Sequence, residues 1–73
     1  MADIRMIGLK QDAIATKTNI DIWLAKAHLA TNSGSFEEAK SCIANAEGQR
    51  KHLTDVHVAI VSLHKELEND NNS

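Results

Sequence analysis

From Ser35 to Leu67 the chain runs without a proline, and its apolar residues recur three and four apart: Phe36, Ala39, Ile43 and Ala46, then Leu53, Val56, Ile60, Leu63 and Leu67. That period matches the turn of an α-helix and not the alternation of a strand. A helix this long with one apolar side draws its stability from a second element packed along it. Gly48 is its weak link, since glycine lowers helix propensity at an interior position.

Residues 3–31 carry a matching pattern. Met6, Leu9, Ala13, Thr16, Ile20, Trp23, Ala27 and Ala30 are spaced alternately three and four apart, with Thr16 the one polar member. Ile7, Ile14 and Leu24 are expected to widen this seam on one flank. Thr16-Lys17-Thr18-Asn19 is poor in helix formers, and Thr18 with Asp21 has the spacing of a capping box that would begin a second helix. Because the seam keeps its phase through Thr16, one helix with a soft middle is favoured over two broken near 16–19.

Asn32-Ser33-Gly34-Ser35 is the clearest break. Gly34 can take the left-handed backbone that ends a helix, and Ser35 with Glu38 fits the capping box that starts the next. Glu37 and Glu38 place negative charge where the helix dipole favours it. So short a turn permits only an antiparallel return. The expected fold is an all-α antiparallel helical hairpin: helix 3–31, turn 32–35, helix 36–68, and a disordered tail over 69–73.

Along the second helix the apolar stripe is expected to drift, with Phe36 and Ile43 flanking it early and Val56 and Leu63 flanking it later on the other side. Val58 and Val61 lie away from the seam, so the segment Val56–Val61 is apolar on more than one side. A second polypeptide, either a helical partner or another copy of the chain, is expected to cover it. Trp23, Leu53, Val56, Val58, Ile60, Val61, Leu63 and Leu67 are the expected partner-binding residues, with Trp23 anchoring either the hairpin or the partner.

Size sharpens that expectation. Seventy-three residues make one small domain, which buries little of its surface. Cys42 is the only cysteine, so neither an internal disulfide nor a zinc site of several thiolates can supply the missing stability. Trp23 and Phe36 are the only aromatics, which leaves Ile, Leu, Val and Ala to fill the core. A net charge of -2 with interspersed signs argues against a nucleic-acid surface. No apolar run approaches the roughly 20 residues of a membrane span, and the start lacks the charged-then-apolar order of a secretory signal. A cytoplasmic location without membrane insertion is expected.

No catalytic, cofactor or metal site is expected. His57 and His64 share a helical face and His28 could approach them, but no His-x-x-x-His occurs. Asp3, Asp12, Asp21 and Asp55 lie on separate turns and form no acid–base couple. Cys42, beside Ile43, reads as a buried thiol with no base to activate it.

Two resemblances extend this reading. Trp23, Ala27, Gly34, Phe36, Ala39, Ile43 and Ala46 resemble a single tetratricopeptide repeat over residues 23–46, with Lys26 in place of the usual leucine and Lys51 in place of the closing proline. The whole chain resembles the small co-chaperones of type III secretion needle subunits in its hairpin layout and in the rhythm Leu53, Val56, Ile60, Leu63, Leu67. That resemblance implies a non-enzymatic binding protein that keeps a helical partner unpolymerised. The alternative is a homo-oligomeric helical bundle, such as a phage anti-defence protein, acting as an inhibitor or ligand trap.

Overall fold

The computed structural model describes residues 3–72, the last three through their backbone alone. Helix α1 spans Ile4–Asn32 and helix α2 spans Phe36–Asn72, packed together as an all-α hairpin. α1 passes unbroken through Thr16–Asn19. The Thr18 hydroxyl donates to the Ile14 carbonyl at 3.0 Å. Asp21, which would have closed a capping box, instead meets Lys17 at 3.2 Å. Both threonine and aspartate are thus satisfied within the helix, and nothing draws the backbone out of it. α2 likewise continues past Glu68 to Asn72, so the tail expected to be disordered over 69–73 is helical through 72, and its last residue, Ser73, lies outside the described residues. Each further residue adds a backbone hydrogen bond to an existing helix.

Asp3 caps the start of α1. Its carboxylate accepts the Arg5 amide at 2.8 Å and the Arg5 guanidinium at 3.0 Å. At the other end Gly34, with φ of 81°, closes the helix: its amide donates to the Thr31 carbonyl and the Ser35 amide donates to the Ala30 carbonyl, at 3.1 and 2.8 Å. This pair of bonds is the Schellman motif. It also explains why the expected Ser35–Glu38 box is not formed. The Ser35 amide that the glutamate would accept from is already held by Ala30, and the Ser35 hydroxyl lies 3.4 Å from that of Ser33. The Ser35 carbonyl still accepts from the Ala39 amide at 3.0 Å, which opens α2.

The seam follows α1 as expected, with Thr16, Ala27 and Ala30 buried and Met6, Leu9, Ala13, Ile20 and Trp23 half-buried. On α2 the pattern differs from expectation. Ala39, Cys42, Ala46, Val56 and Leu63 are buried, with Gln49, Leu53, Ile60 and Leu67 half-buried between them. Phe36 and Ile43 are exposed. Cys42 and Gln49, and not Phe36 and Ile43, carry an unbroken three-four spacing from Ala39 to Leu67, with Val56 and Leu63 inside the seam instead of on its flank. Such a seven-residue repeat moves about 20° per heptad around a straight helix. Near the turn the buried residues are alanine and cysteine, small enough to let the helix axes approach closely, and a phenylalanine there would hold them apart.

Opposite outcomes are expected at two glycines. Gly34→Ala forces a Cβ into a left-handed backbone and should destabilise the hairpin by about 1–2 kcal/mol. Gly48→Ala lies in a helix with nothing within 4 Å of the new carbon and should stabilise it by about 1 kcal/mol. Urea denaturation followed by circular dichroism reads both. The Arg5 hydrogen bond also holds the Asp3 carboxyl below the usual carboxylate range. Its contribution to the first turn is therefore complete above the unfolded carboxyl's titration and lost as pH falls through the lowered folded value. Amide exchange at Arg5–Ile7 should quicken on acidification relative to the rest of α1, and Asp3→Asn should abolish that pH dependence.

Candidate functional site

Helix α1 has a second apolar face. Ile4, Ile7, Ile14, Thr18, Ile22, Ala25 and Leu29 recur at spacings of three, four and seven, and all are exposed. Most precede a seam residue by two: Ile4 before Met6, Ile7 before Leu9, Ile14 before Thr16, Thr18 before Ile20, Ala25 before Ala27. Two residues turn a helix by about 200°, so these five look away from α2, while Leu29 at the end of the stripe also borders the groove beside Trp23. Ile7 and Ile14 therefore do not widen the seam as expected; they belong to the opposite side. Ile4, Ile14 and Leu29 are 84, 68 and 67% exposed. Thr18 interrupts the stripe less than its hydroxyl suggests, because that group is already bonded to the Ile14 carbonyl. Gln11 is its one fully polar member.

The residues expected to bind a partner divide into two groups. Val56 and Leu63 are buried against α1, and Leu53, Ile60 and Leu67 are half-buried along the same seam. Val58 and Val61 are exposed and line a shallow depression with Thr54 and His57. Trp23 is half-buried where the seam side chains are smallest. It borders an open groove of about 690 Å³ that it shares with Ala30, Glu38, Cys42 and Asn45, and the Lys26 ammonium stands 4.8 Å from its ring centre. A cation over an indole face is a favourable arrangement at a solvated site. The exposed valines are thus a small patch, while the α1 stripe runs the length of the helix.

One polar cluster crosses the hairpin. The buried Thr16 hydroxyl donates to an Asp12 carboxylate oxygen at 3.2 Å, and both Asp12 oxygens lie 3.1–3.2 Å from His52 Nε2 on α2. Among the described residues no buried side-chain nitrogen or oxygen lacks a partner. Farther toward the open end Arg5 reaches Glu66 at 3.7 Å. These pairs fix the register of the two helices, a role for His52 that its spacing in sequence did not reveal. His64 meets Glu68 on its own helix at 3.1 Å, and His57 is exposed. Among the described residues no three of His, Cys, Asp and Glu stand close enough to hold a metal ion, and no helix is long and apolar enough to cross a membrane.

Comparison with protein-family models, curated proteins and solved structures finds no match.

Removing the carboxylate should expose the cross-helix link. Asp12→Ala is expected to destabilise the hairpin by about 1–2 kcal/mol, since it leaves the buried Thr16 hydroxyl and His52 without their shared acceptor. In a Thr16→Val background the same change should cost measurably less, which a double-mutant cycle by urea denaturation reads directly.

Proposed function

We propose that this chain is a non-enzymatic protein-binding module, and that the outer stripe of α1 is where a helical partner docks. One observation carries the reading. α1 is apolar on two opposed faces, and α2 covers only one of them. A helix with apolar side chains on both sides is ordinarily covered on both.

The dimensions point the same way. The chain exposes 5579 Å², whereas a compact monomer of 8.0 kDa exposes roughly 4,450 Å². Its radius of gyration of 16.9 Å compares with about 11 Å for a globule of this length. The surplus of about 1,100 Å² exceeds the roughly 800 Å² that each partner contributes to a standard interface. Apolar anchors at Ile4, Ile14, Ile22 and Leu29 suit the groove between side chains of another amphipathic helix. A co-chaperone that keeps a type III secretion needle subunit unpolymerised is a specific form of this reading, supported by the two-helix layout and the rhythm of α2.

Site-specific photo-crosslinking in the cells that make the protein tests the docking face. A photoreactive residue at Ile14 or Leu29 should yield a covalent adduct, whereas one at the exposed Glu47 of α2 should not. A folded protein that gives no adduct from either stripe position would remove the reading.

A further inference from the structure

Resting on that docking face, we infer that its occupant is a second copy of this chain, with α1 lying antiparallel against α1 of the partner about a two-fold axis at the level of Thr16. The argument comes from the order of charges beside the stripe. Along one border the sequence places Asp3, Lys10, Lys17, Asp21 and His28, one or two turns apart and all on the same side of the apolar residues. The other border carries Gly8 and Ala15, small and uncharged, with Lys26 its one charge.

Folding this pattern back on itself brings unlike groups together away from the centre, while Lys17, nearest the axis, sits beside the partner's Lys17 and is neutralised by its own Asp21 at 3.2 Å. Lys10 and Asp21 are equally far from Thr16 to within one residue, and so are Asp3 and His28. In an antiparallel pair, Lys10 therefore faces the partner's Asp21, and Asp21 faces the partner's Lys10. Asp3 faces the partner's His28 in the same way. The apolar residues share this centre: Ile4 falls opposite the partner's Leu29, Ile7 opposite the partner's Ala25, and Ile14 opposite the partner's Thr18. A parallel pair would set this charged border against the partner's opposite border of Gly8 and Ala15, and would leave Lys10 and Asp21 without a partner of opposite sign. Gly8 and Ala15 on the other border let the backbones approach without a steric obstacle.

The contact is long enough to hold. From Ile4 to Leu29 the stripe extends about 38 Å at 1.5 Å per residue, and it draws on the surplus surface of the monomer. The pairing is isologous, so it closes at two copies and leaves no stripe exposed for further growth. The assembly is a layer of four helices in the order α2, α1, α1, α2, with both central helices covered on two faces.

Analytical ultracentrifugation of the full chain gives the first reading, with a mass twice 8.0 kDa expected. Ile14→Lys should give a monomer of unchanged helicity, because that side chain touches no part of the hairpin core. Charge reversal then tests the orientation. Lys10→Asp and Asp21→Lys should each weaken the homodimer by tenfold or more, since each sets like charges against one another at two symmetric positions. An equimolar mixture of the two variants should restore association as a heterodimer, in which both pairs are again opposite in sign. A wild-type chain still monomeric at about 1 mM would overturn the inference, as would a dimer indifferent to Ile14→Lys or a variant mixture that fails to associate. Should the chain be monomeric while Ile14 still crosslinks to a different polypeptide, self-pairing is overturned and the docking face stands.

Discussion

A helix with one neighbour can hide one side, and α1 is apolar on two. The rest of the molecule follows from that mismatch. α2 takes the side formed by Met6, Leu9, Ala13, Thr16, Ile20, Trp23, Ala27 and Ala30, and the side formed by Ile4, Ile7, Ile14, Ile22 and Leu29 is left in water. Among the described residues no large side chain is fully buried, so the hairpin has a seam and not an enclosed core. Burial of apolar surface supplies most of the stability of any fold. Here much of that resource lies outside the chain's own packing.

Within the seam, size and polarity are graded along the axis. Alanines and Cys42 line it near the turn, larger aliphatic residues line it toward the open end, and Thr16 with Asp12 and His52 forms a polar layer between. A purely aliphatic seam of repeated three-four spacing would tolerate sliding by one heptad with little change in packing. The polar layer resists this, because a shifted register would leave the buried Thr16 hydroxyl and its carboxylate away from His52. The turn adds its own constraint, since Gly34 and the Ala30 carbonyl fix where α2 begins.

Much of this was legible in the residues. The two helices, the turn at Gly34 and the seam of α1 follow from spacing and from glycine's freedom at positive φ. The seam of α2 was less so. Phe36 and Ile43 share a three-four spacing with Ala39 and Ala46, which places them on the flank of the apolar stripe. Close approach near the turn instead selects Ala39, Cys42 and Ala46, and the bulky pair is turned outward. The stripe on the back of α1 was also present in the sequence, as residues two positions ahead of the seam. It read as a widening of one apolar side because Ile7 and Ile14 adjoin seam residues in number, though not in angle.

By itself, then, the sequence determined that the chain is helical, that it reverses once, and that it carries more apolar surface than two helices can cover. Local spacing and backbone chemistry decide those matters without reference to distant residues. Only the tertiary structure decided which apolar residues meet each other and which face water. That choice depends on how near the two axes can come, which is a joint property of side chains from both helices. The pairing of Asp12 with His52 belongs to the same class, because residues so far apart in sequence acquire a relation only once the turn and the seam have set the register.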